Sequence, residues 1–265
     1  MAWWELGELI CYSLRDLGFK AEIQHRKMEK NCKNILLGAF VLEPEYIKKL
    51  PSNTIFVNTE QLYKDDQKLL WPSDIYEWAR SYETWDYSDR NIEKFNEHGI
   101  FNVKKLDIGY QKELNRIQNS HIQDIDILFY GAIRERRKKI IDALKSVGLN
   151  IHTFTYPNAI WGAERDNLIA RSKIILNLHH YDSHIFESVR VFYLLTNKKA
   201  VISEISKTTS INEVFYKSIK PAPYEELVET CKKLIDNDHE RLSLEKKGFD
   251  TFSMHPQKNF TARLL

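Results

Sequence analysis

The sequence carries none of the short motifs that announce the commoner nucleotide and nucleophile sites. There is no GxGxxG and no GxxxxGK(S/T), so neither a standard dinucleotide fold nor a P-loop is supported. No GxSxG elbow is present, which leaves out the usual serine-hydrolase turn. Metal-ligand patterns are missing too: there is no HxH, no HExxH and no cysteine pair. The three cysteines, Cys11, Cys32 and Cys231, are too scattered for a disulfide scaffold and fit a reduced, cytoplasmic setting. Charge of one sign is also scarce. Lys+Arg of 39 against Asp+Glu of 37 leaves +2, and the densest basic cluster is RERRKK at 134–139, so a nucleic-acid partner is not expected. Glu5 and Glu8 interrupt the apolar start, which therefore reads as neither a signal peptide nor a membrane span.

What is there is enough apolar residue for real cores, 43% of 265, in a pattern that repeats. Short β-branched runs alternate with amphipathic helices, which implies parallel sheets with crossover helices. A helix is expected over 3–17, then strands at 20–24, 34–38, 54–58, 82–86 and 102–106, with helices near 44–50, 73–80 and 90–98. After residues 107–124 the pattern restarts: strand 125–131, helix 134–147, strand 150–156, helix 162–171, strand 173–180, helix 184–197, strand 199–204, and helices near 224–236 and 239–250. The expected fold class is α/β, two Rossmann-like domains facing a cleft. The first, 1–110, is reduced because it opens on a helix, and it is joined by a C-terminal helix at 255–265; the second is 120–254.

Ligands of such sheets bind beyond the carboxyl ends of the strands. This rule places Gly131, His179, His180 and Glu204 at the cleft in the second half, and Glu60 and Asp86 in the first. The stretch LNLHHYDSHIFESVR at 176–190 runs from a strand end into the start of a helix, where unpaired backbone N–H groups favour an anion. Glu187 and Arg190 share a face of that helix; they read either as phosphate and ribose contacts or as an ordinary intrahelical ion pair. Gly131 allows close backbone approach, and Arg134, Arg136 and Arg137 follow it. A solvated basic face accounts for Lys138 and Lys139.

The strings FYGAIRERRKKIIDALKSVGLNI and ARSKIILNLHHYDSHIFESVRVFYLLTNKKAVISE resemble the donor half of GT-B-fold glycosyltransferases of the group-1 and CgeB-like kind. NTEQL at 58–62, TWDYSDRN at 84–91 and LDIGY at 106–110 extend the resemblance more weakly into the first half. It implies a hexosyl- or pentosyltransferase moving a sugar from a nucleotide-sugar donor to a glycan, glycoconjugate or other hydroxyl acceptor, with no bound metal and no further cofactor. It also implies donor contacts at Gly131, Arg137, His179, His180, Glu187, Arg190 and Glu204. An inverting enzyme needs a base, for which Asp86 and Glu60 are the first-half carboxylates. The alternative is a non-catalytic GT-B-like module that binds a nucleotide or glycan within a larger assembly.

Overall fold

The computed structural model describes residues 3–25, 27–62, 74–181 and 183–265. The chain forms two compact units, one of Trp3–Ile108 with Gln257–Leu265 and one of Gly109–Pro256. Among the described residues no helix is long and apolar enough to cross a membrane.

The N-terminal unit runs α1 (Trp4–Asp16), β1 (Asn34–Leu37), α2 (Pro44–Ile47), β2 (Thr54–Asn58), α3 (Ile75–Ser81), β3 (Glu83–Asp86), α4 (Asp89–Glu97) and β4 (Val103–Lys105). Its four strands are parallel and lie in chain order, β1-β2-β3-β4. All five residues of β2 are buried, as a central parallel strand covered on both faces requires. Phe56 of β2 stacks on Trp78 of α3 at 5.0 Å between ring centres. Side-chain caps fix two helix starts: Asp74 accepts from the Tyr76 amide at 2.9 Å, and Ser88 accepts from Asn91. The C-terminal helix α11 (Gln257–Thr261) belongs to this unit, with Thr261 Oγ1 2.8 Å from Ser13 Oγ of α1.

The central unit runs β5 (Ile125–Tyr130), α5 (Glu135–Ser146), β6 (Ile151–Phe154), α6 (Gly162–Arg171), β7 (Ser172–Asn177), α7 (Ser188–Thr196), β8 (Ala200–Glu204), α8 (Glu213–Ser218), β9 (Lys220–Ala222), α9 (Leu227–Ile235) and α10 (Asp238–Ser253). Five parallel strands pair in the order β6-β5-β7-β8-β9. Ile127, Phe129, Ile174, Leu176 and Ile202 from the strands pack with Ile140, Ile141 and Leu144 of α5 and Cys231 and Leu234 of α9. From β5 the chain moves outward to β6 and then returns past β5 to β7. The order therefore reverses between β5 and β7, and the two connections leave a crevice at their carboxyl ends.

Several expectations need correction. Residues 20–24 form no strand: Phe19 and Ile23 stay exposed, with no sheet partner to bury them. The helix expected from 184 starts at Ser188, because Ile185 just before it is held in a parallel bridge to Ser210. Its preceding strand ends at Asn177 and does not reach the histidines. Strand β9 and helix α8 were not anticipated; Pro221 sits in β9, which the sheet tolerates because that strand is an edge. Position 73, taken as the start of a helix, lies outside the described residues.

Candidate functional site

The crevice begins at Gly131, directly after β5. Its φ of +139° belongs to glycine, and its amide donates to Phe154 O of β6 at 2.9 Å. A Cβ at this position would stand 3.0 Å from Arg190 Nη2 and 3.6 Å from Arg137 Nη1. Two guanidinium groups thus converge on bare backbone. That is a cradle for an anion.

The two guanidinium groups are not equivalent. Arg137 is 2% exposed. Its Nε donates to His179 O at 3.1 Å, Nη1 to Ala132 O at 2.8 Å, and Nη2 to Leu178 O at 2.6 Å and Glu187 Oε1 at 3.4 Å. It ties the loop after β5 to the loop after β7, and burial pulls its pKa down to about 10. In this structure Arg137 clamps the two loops together, with Nη1 also near the Gly131 backbone. Arg190 has fewer commitments: Nη1 donates to Asn177 Oδ1 at 3.2 Å, and the guanidinium lies 5.5 Å from the Tyr130 ring centre. Its Nη2 is 3.9 Å from Glu187 Oε2, so the ion pair between these residues exists and is long.

Glu187 sits at the N-cap of α7, where a carboxylate complements the helix dipole. Burial pushes its carboxyl pKa up, but Arg190 and Arg137 outweigh that and hold it below the ordinary value. Glu204, expected to touch a ligand, is 1% exposed and fully engaged. Both terminal nitrogens of Arg136, Nη1 and Nη2, donate to its carboxylate, and it accepts from the His179 amide at 3.1 Å. The Arg136–Glu204 pair joins the start of α5 to the end of β8. Arg136 is backed by the Tyr224 ring at 4.1 Å.

The histidines divide likewise. His179 is 1% exposed, with Nε2 3.0 Å from Thr209 Oγ1 and Nδ1 3.3 Å from Ile185 O; burial drives its pKa down to about 4. It locks the loop after β7 to the loop after β8. His180 is different. Its Nδ1 is buried and has no hydrogen-bond partner, although Arg137, Arg134, Arg190 and Glu187 all lie within electrostatic reach. Burial first, then the three arginines, bring its pKa down to about 4, so the ring is neutral. A buried polar atom without a partner costs about 1–3 kcal/mol, which a ligand group can recover.

Among the arginines after β5, only Arg134 remains exposed; it is the N-cap residue of α5, 5.7 Å from the Tyr181 ring centre across the crevice. RERRKK shows three arginines, and only tertiary structure separates the one at the mouth from the two that hold the walls. Sequence reading also missed the bracing of α7: Tyr193 OH donates to Asp166 Oδ2 at 2.8 Å and accepts from Arg116 Nε at 3.0 Å. Among the described residues no group of three or more His, Cys, Asp or Glu side chains is placed to hold a metal ion.

The N-terminal unit carries the other two candidate carboxylates. Asp86 is completely buried: it accepts from Asn58 Nδ2 at 2.6 Å, the Ser88 amide at 2.7 Å and Asn91 Nδ2 at 3.0 and 3.1 Å. Burial raises its pKa to about 7 against the pull of these donors. These bonds staple β2, β3 and the start of α4. Glu60 is half-buried, and its backbone belongs to the same staple, its carbonyl accepting from Asn58 and Asn91 at 3.0 and 2.8 Å.

No family model matches the chain. It is 29% identical over 195 residues to protein L140 of Acanthamoeba polyphaga mimivirus, which covers 70% of this chain and 60% of that protein. It is 31% identical over 135 residues to protein L138 of the same virus, covering 48% of this chain and 15% of L138. The chain thus spans about 60% of the length of L140 and far less of L138. Among solved structures, Anabaena Alr3699/HepE in complex with UDP and glucose superposes with a TM-score of 0.56 at 10% identity, over 83% of this chain and 72% of that one. WaaG, a glycosyltransferase of lipopolysaccharide biosynthesis, gives 0.53 at 11% identity over 79% and 73%. TarM gives 0.54 at 10% identity over 86% and 53%. These likenesses establish the fold: mixed α/β with two parallel Rossmann-like sheets, as in GT-B glycosyltransferases. Nothing in them singles out the CgeB-like kind.

Proposed function

We propose that this protein is a glycosyltransferase that takes a sugar from a nucleotide-sugar donor and passes it to a glycan, glycoconjugate or other hydroxyl acceptor. One observation carries the reading: Gly131, with Arg190 and the unpartnered Nδ1 of His180, lies at the switch point of a parallel sheet whose fold matches glycosyltransferases. In this reading the donor's diphosphate lies against the Gly131 backbone and accepts from Arg190 and Arg134. Glu187 accepts from ribose hydroxyls. The positive charge of Arg137 beneath the crevice and the start of α7 stabilise the departing diphosphate without a bound metal. HepE, solved with UDP and glucose, shows such ligands on a related fold.

The test is titration of the purified chain with UDP and GDP by calorimetry, with and without EDTA, followed by product analysis with the matching nucleotide sugars. Binding that survives EDTA, together with nucleotide release, is the expected result. A chain that binds neither nucleotide overturns the reading. A second reading, binding without turnover, is favoured by Asp86: the carboxylate best placed by sequence to be a base is sealed among Asn58, Ser88 and Asn91. Nucleotide affinity without transfer or hydrolysis selects that reading.

A further inference from the structure

The core of the N-terminal unit is not closed everywhere. One buried cluster holds Phe56 and Trp78, another holds Ile75, Tyr76 and Phe95, and Phe40 packs against both. A cavity draws its walls from the two: Ala39, Phe40 and Phe56 on one part, Ile75 and Trp78 of α3 on another, with Asn58 and Thr84 as its polar lining. Its empty space, open mouth included, is about 270 Å³. Drug-sized ligands occupy about 300–1,000 Å³, so this space suits a group of a few atoms. Asn58 and Thr84 are already committed: Asn58 Nδ2 donates to Asp86 and to Glu60 O, and Thr84 Oγ1 donates to Tyr82 O at 3.2 Å. Trp78 is not. It is 4% exposed and stacked on Phe56, and its Nε1 is buried with no hydrogen-bond partner.

Protein interiors pack to the density of organic crystals, and atoms facing a gap lose their dispersion contacts on that side. A buried N–H without an acceptor is a second cost, and such groups are few in folded proteins. Here both involve the same side chain, so one occupant would offset both. It must be compact, apolar over most of its surface and furnished with an acceptor oxygen. None of the lining residues carries a charge, which excludes an ionic group. We infer that this cavity binds a short acyl group, whose carbonyl oxygen accepts from Trp78 Nε1 and whose alkyl part lies among Phe40, Phe56 and Ile75. The site belongs to the N-terminal unit and does not depend on the proposed nucleotide site.

The test uses N,N-dimethylacetamide, a carbonyl compound with no hydrogen to donate, and tetramethylethylene, a planar hydrocarbon of nearly the same shape. Each is titrated into the full chain and into Trp78→Phe, which keeps an aromatic wall and removes the donor; thermal melts confirm that the variant folds. In the parent, the amide is expected to move the assigned Trp78 indole N–H resonance downfield, and the hydrocarbon is not. Trp78→Phe should lose about 2- to 13-fold in affinity for the amide, the value of one neutral hydrogen bond, and nothing for the hydrocarbon. Ethyl acetate, titrated alongside, separates an ester from an amide as the source of the carbonyl: the tighter of the two names it. A Trp78 resonance that saturating amide and ester leave in place overturns the site, and that readout needs no variant. Equal losses for amide and hydrocarbon in Trp78→Phe overturn it too.

Discussion

The two sheets of this protein are built alike and finished differently. Both are parallel, both place polar residues at strand ends, and both gather amides and carboxylates there. In the N-terminal sheet the strands follow chain order, so every connection crosses in the same direction. Its strand-end residues Asn58 and Asp86 bond to each other and Asp86 to Asn91 of α4. In the central sheet the order reverses between β5 and β7, and a buried His180 nitrogen is left without a partner at the gap. In the proposed reading the same residue chemistry makes a scaffold in one unit and a receptive surface in the other.

Substitutions test that contrast directly. The largest effect is expected from Arg137→Ala, which strips donors from the buried carbonyls of His179 and Leu178 and the part-buried one of Ala132, and leaves Glu187 with Arg190 as its remaining arginine partner. It should lower stability by about 3–5 kcal/mol in a chemical denaturation experiment. Parental stability for this variant would return Arg137 to the ligand-binding set. Next comes Asp86→Asn. All its partners donate, so an amide NH2 facing them should cost about 1–3 kcal/mol, seen as a lower unfolding midpoint with nucleotide affinity unchanged. If stability holds while transfer collapses, Asp86 is a base after all.

Arg190→Ala should leave stability nearly intact but weaken UDP binding by about 1.5–3 kcal/mol, whereas Lys139→Ala should not change it. Equal affinities for parent and both variants would remove Arg190 from the site.

The smallest effect distinguishes the units by pH. Asp86 has a pKa raised from 3.8 to about 7, so its favourable contribution is complete below 3.8 and is lost as pH rises through 7. His179 and His180 are lowered from 6.5 to about 4, so their contribution is complete above 6.5 and is lost as pH falls toward 4. Hydrogen exchange between pH 5 and 8 should show the N-terminal strands gaining protection toward acid while the central strands lose it. A parallel change in both units contradicts this.

Much of the frame is legible in the sequence because it is local. Helix 162–171 and strand 54–58 appear at their expected bounds, since hydrophobic period and length are enough to set them. Gly131 is legible as a close-approach position for the same reason: it follows a buried strand directly. Arg137 and Glu204 are not. Their burial depends on loops 41 to 68 residues away, and RERRKK gives no sign of which guanidinium turns inward. The start of α7 is missed because Ile185 pairs with Ser210, a contact no local pattern encodes. His180 was singled out for its position; what could not be read is that its ring nitrogen would be left unpaired while that of its neighbour His179 was satisfied.

The burial of Arg137 also governs how this protein responds to salt. A charge under the surface is screened by dissolved ions far less than one in solvent, where at 0.15 M the Debye length is about 8 Å. Arg134 stands in solvent and Arg137 does not. An anion in the crevice feels both, but only the first fades as ionic strength rises. Binding should therefore weaken with added salt to a plateau that the buried guanidinium maintains, rather than falling steadily away.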